Sequence, residues 1–557
     1  MENRSSFTNT EDFWTLIIGG FLLIAAIVIY LGIIPKGLQE KIEELEAIQK
    51  LEEAYPFQTI AYLEAQEEME SLSLAKEPIS KFLENLTAKP GGWTVNPLDA
   101  FLTNPTGKPI NMKDGSEVAD AKLLAEAAER LAKEKNFEDK ATNSHAKQLI
   151  ENWQSAKKKW RKLQDKQKPL TFSFPFMIGL FALLGILFGF GNWKMGGEFP
   201  VFIKGFAFVF FLAFISLFLA GQKNLKDLGI EYAVWAIVLG MLISNTIGTP
   251  GWITSALKTE FYIKTGLIIM GAEVLFNKIL AIGLPGMFVA WIVTPIVLVS
   301  TFWFGQNVLK IKSKSLNITI SADMSVCGVS AAVATAAASK ATREELTVAI
   351  GLSMVFTAIM MIVMPLFIKF IGMPEVLGGA WIGGTIDSSG AVVAAGAALG
   401  DKAMYVAATI KMIQNVLIGF VAFGVAVYFA TKVEKGEGQA KVGVGEIWRR
   451  FPKFILGFIG ASLLFTAIYT SLGKGMAEVV IDKGLLEGFS KDLRTWLFCL
   501  AFASIGLSTN FRVLRKHFSG GKPLLLYICG QTLNILLTLG MAYLMFYKVF
   551  PHVTENF

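Results

Sequence analysis

The stretch Ser321–Ser339 reads SADMSVCGVSAAVATAAAS, and it lies in a chain that is otherwise strongly apolar. It holds an Asp, a Cys, a Gly and a ladder of Ser, Thr and Ala, with few large side chains. A second stretch, Gly383–Gly400, reads GGTIDSSGAVVAAGAALG and repeats the order: Asp, then Ser, then Gly, then Ala and Val. Asp323 precedes Gly328, and Asp387 precedes Gly390. Each stretch ends in a polar turn (KATREE from Lys340, GDK from Gly400) and is followed by a long apolar run. The spacing predicts a unit of broken helix plus full helix, used twice.

The surroundings decide what such stretches mean. Of 557 residues, 53% are hydrophobic and 17% charged, and the mean hydropathy is +0.50. Soluble domains carry about 25% charged residues. The apolar residues fall into runs of about 20, the helix length that crosses a hydrocarbon core of about 30 Å. The chain therefore reads as an all-α, polytopic membrane protein. In hydrocarbon an unpaired backbone amide or carbonyl costs several kcal/mol, so broken helix survives only inside protein or beside water. An Asp at the bilayer centre costs roughly 2.5–3.5 kcal/mol even on the lenient insertion scale, and needs a partner, a proton or a cation. Secondary transporters build midplane sites from such discontinuous helices. Small residues at helical spacing also serve plain helix packing, and the Ala/Ser ladder alone reads that way. The two Asp-Ser-Gly groups together point to a site. Its candidate residues are Asp323, Ser325, Cys327, Gly328, Ser330, Asp387, Ser388, Ser389, Gly390 and Lys411. In this reading Asp323 and Asp387 bind a coupling Na⁺ or proton. The Ser and Gly residues give hydroxyls and backbone groups, and Lys411 balances charge.

Other polar residues in apolar runs have blander readings. Asn245, Thr509 and Asn510 fit helix ends or a cavity wall, and Glu273 fits a span end where its side chain reaches the interface. The three cysteines (Cys327, Cys499, Cys529) lie in apolar runs and imply no disulfide framework. No His/Cys spacing suggests a metal centre. No phosphate-binding GxxxxGK[ST] loop is present, which argues against ATP-driven transport by this chain. No nucleophile–base set suggests an enzyme. No cofactor or nucleic-acid partner is expected, and the net charge of +7 fits basic loops at a membrane surface.

Three divisions are expected: an N-terminal transmembrane helix (1–35), a soluble insertion (36–168) and a membrane domain (169–557). Phe13–Ile34 is long enough to span, lacks a basic segment before it, and reads as a retained helix. The insertion pairs an amphipathic tract (Ile42, Leu45, Ile48, Leu51) with a second helical tract over about Ser116–Gln167, as a helical hairpin with a Pro/Gly-rich loop between. Twelve apolar runs follow between Phe172 and Phe546. The basic tracts Lys157–Lys168, Lys432–Lys453 and Arg512–Lys522 are expected to be cytoplasmic, the insertion with them. That choice places LKIKSKS (Leu309–Ser315) outside, so one run is re-entrant or miscounted.

Several stretches together resemble a known family: AIVLGMLISN (Ala236–Asn245), YIKTGLIIMGAEVLF (Tyr262–Phe276), CGVSAAVATAAA (Cys327–Ala338), GAVVAAGAALGDKAMYVAATIKM (Gly390–Met412) and FASIGLSTNFRVLRKHFSGGKPLLL (Phe502–Leu526). They are similar to the sulfate exporter family of bacterial membrane proteins. That family is grouped with sodium/proton antiporters, bile-acid-type symporters and sodium/glutamate symporters. The resemblance covers about Phe172–Phe546. It implies an inverted-repeat secondary transporter, with two broken, crossing elements in a core that moves against a dimerising scaffold, in the bacterial inner membrane. It implies a small anionic substrate (sulfate, a sulfonate or a carboxylate) and a homodimer. Many members carry a His-Glu pair where this chain has Ile386-Asp387-Ser388-Ser389, and the insertion is not part of the usual core. Two other functions remain open: a cation/proton antiporter, and a membrane ligand sensor or scaffold that signals through the insertion.

Overall fold

In the computed structural model, residues 10–74, 77–101, 112–165, 172–227, 232–273, 276–433, 452–510, 521–551 and 553 are described. The helices, in chain order, are α1 (Glu11–Gly32), α2 (Leu38–Glu52), α3 (Ile60–Ser71), α4 (Pro78–Thr87), α5 (Met112–Glu134), α6 (Lys140–Asp165), α7 (Phe174–Lys194) and α8 (Phe199–Ala220). They continue as α9 (Lys223–Asp227), α10 (Tyr232–Thr246), α11 (Thr259–Glu273), α12 (Phe276–Asn307), α13 (Lys314–Ala322), α14 (Val329–Ser339), α15 (Arg343–Phe370) and α16 (Glu375–Thr385). The remainder, besides a single helical turn at Lys474–Ala477, are α17 (Ser389–Leu399), α18 (Asp401–Tyr428), α19 (Phe454–Leu472), α20 (Lys491–Ser508) and α21 (Gly521–Tyr543). Eight helices among the described residues are long and apolar enough to cross a membrane. Only 28–50% of each apolar window is buried, so the outward apolar side chains, such as Val299, Leu366 and Leu536, suit contact with lipid.

The chain forms two compact units. The first comprises Met1–Leu22, Phe181–Leu464 and Leu493–Phe557; the second comprises Leu23–Leu180 and Phe465–Asp492. The second unit thus extends past the expected insertion at both ends and adds a downstream segment. Its insertion helices close on Trp153, buried with Phe57, Ile60, Leu63, Ala125, Ala128, Ala132, Ala146 and Ile150. The amphipathic tract forms α2, with Ile42 and Leu45 buried and Leu51 turned outward. The tract expected to run unbroken from about Ser116 is instead two helices, α5 and α6. Asn136 and Phe137 take positive φ, and Asp139 caps the start of α6, accepting from the Ala141 amide (3.0 Å) and from Thr142 (2.6 Å). Much of the expected Pro/Gly-rich loop, residues 102–111, lies outside the described residues, as do 166–171.

The first unit holds the two weak stretches, and neither crosses the membrane. Arms of 9 to 11 residues reach about 14–17 Å, half of a hydrocarbon core. Each pair of arms folds back on itself. At the base of α13–α14, Ser315 donates to Glu345 (3.0 Å), and Ser313 also donates to Glu345, tying the chain before the hairpin to the chain after it. At the base of α16–α17, a Cβ added to Gly400 would lie 2.9 Å from a Glu375 carboxylate oxygen. Gly379 on α16 and Gly396 on α17 both abut Ala403. Both pairs are therefore re-entrant hairpins rather than the crossing, membrane-spanning elements expected, and the runs Leu316–Ala338 and Leu377–Leu399 are not spans. Between them α15, 28 residues and about 42 Å long, is long and apolar enough to cross completely, which would bring the hairpins in from opposite faces.

This geometry also settles the basic loops of the first unit. The base of α13–α14, the far end of α18 and the start of α21 share one face. Lys522 Nζ donates to the Lys310 carbonyl (3.4 Å) across it, and Ile318 packs with Val425 and Phe429. LKIKSKS thus sits with the ends of the Lys432–Lys453 and Arg512–Lys522 tracts, whose residues 434–451 and 511–520 lie outside those described.

Candidate functional site

The hairpin tips meet. In the first, α13 widens into a π-type turn over Asp323–Cys327, and Gly328 then breaks the chain at φ 50°, ψ −126°, a conformation L side chains avoid. In the second, Ile386 and Ser388 are extended around Asp387. A Cβ at Gly328 would lie 3.3 Å from the Asp387 carbonyl oxygen, and Cys327 Sγ lies 3.9 Å from Ser389 Oγ.

The two ends of each break differ electrically, and the structure treats them differently. The first arms end in carbonyls, the negative end of a helix. Two long helices, α18 and α21, send polar side chains to satisfy them. Lys411 Nζ donates to Val326 O (2.6 Å) and to Gln414 Oε1 (2.8 Å). Gln414 Nε2 donates to Ser325 O (3.0 Å) and Gly384 O (3.4 Å), and Asn534 Nδ2 to Met324 O (3.2 Å) and Thr385 O (3.4 Å). Gln531 Nε2 also donates to Thr385 O (3.0 Å). Each of Gln414 and Asn534 thus bridges both hairpins.

The second arms begin with amides, the positive end. Their first helical bonds run from Ala332 N to Gly328 O and from Val392 N to Ser388 O. The amides of 329–331 and 389–391 therefore have no partner within their own helices. Neither N-terminus has a side-chain cap. Both open on a cavity of about 650 Å³, whose inner wall includes Cys327, Val329, Ser330, Ser388, Ser389 and Asn415. Asn415 Nδ2 donates to Ser389 Oγ (3.0 Å). The cavity mouth carries Glu11, Asp12, Glu260, Lys264 and Lys453. Lys264 pairs there with Asp12 (2.9 Å), which also accepts from the Lys453 amide (2.8 Å).

Cys327, Ser330, Ser388 and Ser389 thus line the cavity, and Gly328 and Gly390 stand at the breaks. Asp323, Ser325, Asp387 and Lys411 are buried behind it. The Tyr527 hydroxyl donates to Asp387. Neither Asp323 oxygen makes a hydrogen bond of full geometry, although the Ser353 hydroxyl stands beside it. Sequence reasoning did not name Tyr527, Gln531 or Asn534. Their signal was three polar residues on one face of a long apolar helix, α21.

The residues with blander readings also find places. Ser244, Asn245 and Asn510 cap the facing ends of α10 and α20: Ser244 Oγ and Asn245 Nδ2 donate to Thr509 O (2.6 and 2.9 Å), and Asn510 Nδ2 to Ser244 O (2.7 Å). Glu273 does not reach an interface. Its side chain is 1% exposed, pairs with Arg494 (3.0 Å) and accepts from Tyr405 (2.5 Å), because its helix ends against α18 and α20.

Fold and site define a multi-pass, all-helical membrane protein with paired re-entrant hairpins around an internal cavity. The family model described as conserved hypothetical protein 698 matches residues 204–527. A UPF0324 membrane protein of Nitratidesulfovibrio vulgaris is 51% identical over 99% of this chain and 97% of its own length, so the match includes the insertion. A UPF0324 membrane protein of Rhodopirellula baltica is 55% identical over 68% of this chain and 70% of its own length. The chain belongs to the UPF0324 membrane protein family. No solved structure matches it.

Proposed function

We propose that the protein is a secondary transporter of a small anion (sulfate, a sulfonate or a carboxylate) working by alternating access and coupled to a cation gradient. One observation carries this reading: two uncapped helix N-termini, with Ser330, Ser388, Ser389 and Asn415, meet at the deep end of an open cavity. Unpartnered amides at positive helix ends favour an anion, and hydroxyls replace its water. The two hairpins, entered from opposite faces and each followed by a full-length helix, support an inverted repeat and a core that carries the site between faces. Asp323 and Asp387, buried behind the tips, supply the coupled charge. The resemblance to the sulfate exporter family makes sulfate the first anion to try.

A cation/proton antiporter is the second reading, favoured by the Asp323 carboxylate, which is buried without a full hydrogen bond. A homodimer in the inner membrane completes the proposal.

The test is flux of labelled anions into proteoliposomes under ion and pH gradients. Saturable sulfate, sulfonate or carboxylate flux is expected. Cation exchange indifferent to every anion would favour the antiporter, and saturable binding without flux would favour a sensor.

A further inference from the structure

We infer that the buried ammonium of Lys411 occupies the place a coupling Na⁺ would take, so that the charge exchanged during transport is a proton. This rests on the transport reading and names its coupling ion. A sodium site between broken helices is made from the carbonyl ends of the first arms and nearby carboxylates. Here those carbonyls are Met324, Ser325 and Val326 on one tip, and Gly384 and Thr385 on the other. All five already accept from side chains. The shortest bond, 2.6 Å, is from the Lys411 ammonium to Val326 O. Gln414 and Asn534 turn their donor nitrogens, not their oxygens, toward the other four. A bare cation entering among them would meet N–H groups and a like charge.

The charge count points the same way. Lys411 is 2% exposed, and the charges of Asp323 and Asp387 reach it. Cys327 on the first hairpin and Tyr527 on α21 face the same cluster, and α15 contributes the uncharged Ser353. Two carboxylates and one ammonium leave one negative charge. One proton neutralises it, and two close buried carboxylates resist ionising together. The proton belongs to the cluster as a unit. Loss and gain of that proton, in step with movement of the tips, requires no metal.

The experiment has two arms. In proteoliposomes, wild-type anion flux is expected to follow an imposed pH gradient and to be equal in Na⁺ and K⁺ media. In detergent, Na⁺ and K⁺ are expected to give wild-type protein the same melting temperature. Lys411→Met opens the carbonyl end, and Na⁺ is expected to stabilise this variant over K⁺. Flux that requires Na⁺, or a Na⁺-specific rise in wild-type melting temperature, would overturn the inference. If Lys411→Met does not fold, the wild-type melting comparison still decides. If wild type moves no anion under any gradient, the transport reading fails, while the melting arm continues to judge the Na⁺ question by itself.

Discussion

Gly328→Ala probes the meeting of the hairpin tips, and the structure gives its size. At φ 50°, ψ −126° a non-glycine residue is strained by about 1–3 kcal/mol. The new methyl would also stand 3.1 Å from Ser353 Oγ and 3.3 Å from the Asp387 carbonyl oxygen, tighter than ordinary contact, with backbone on one side. A cost of 1–3 kcal/mol changes the population of the tip-to-tip arrangement by about 5- to 150-fold. Gly390→Ala is the control. Gly390 sits in the first turn of α17 without positive φ, and its added methyl would find side-chain atoms no nearer than 3.4 Å. The assay is anion flux in proteoliposomes beside thermal melting in detergent. Gly328→Ala is expected to melt lower and to lose flux by at least the lower bound, with Gly390→Ala close to wild type in both. Equal behaviour of the two variants would refute the claim that the tips touch through Gly328.

Other expectations follow from named contacts. Arg494→Met leaves Glu273 buried beside Tyr405 without its cation, and should cost about 3–5 kcal/mol. Adding Glu273→Gln should recover part of the melting temperature; if it lowers it further, the pair is not the cause. Cys327, at the inner wall of the cavity, should react with a small thiol reagent in a Cys529→Ser background, and a transported anion should slow that reaction; equal rates with and without anion would separate the cavity from the transport path. In the insertion, Lys135, Thr142 and the Ala141 amide hold Asp139 well below the usual carboxylate range. Its contribution is full above the unfolded value of about 4 and disappears as pH falls through the depressed folded value. Protection factors at the α5–α6 turn, which allow for the intrinsic slowing of exchange in acid, should therefore fall at low pH, and Asp139→Asn should remove that dependence.

Much of this site could be read from composition, because the constraint is strong: a bilayer tolerates Asp, Ser and Gly only where protein or water meets them. That logic pointed to Asp323, Gly328, Asp387 and Ser389, which the structure places at or beside the breaks of the two hairpins. The direction of the arms was not legible. A half-helix that turns back and one that continues have the same residues, and only contacts such as Ser315 with Glu345 distinguish them. The uneven sidedness of LKIKSKS gave no hint of them, because both hairpins follow it in the chain and two runs that turn back leave the count of sides unchanged. Tyr527, Gln531 and Asn534 escaped notice because polar residues spaced along a long apolar helix fit packing as well as function. Lys411 was read as balancing charge in the site. Its side chain instead reaches a carbonyl end, which sequence spacing does not specify.

The most direct measurement is a disulfide across the tips. Cys327 Sγ lies 3.9 Å from Ser389 Oγ, so a Ser389→Cys variant, with Cys529→Ser to leave Cys499 as the only other thiol, should form an internal disulfide in native membranes under mild oxidant and lose flux until reduced. If two free thiols persist at these positions while flux stays intact, the opposed hairpins do not meet as described, and the transport site built on them is wrong.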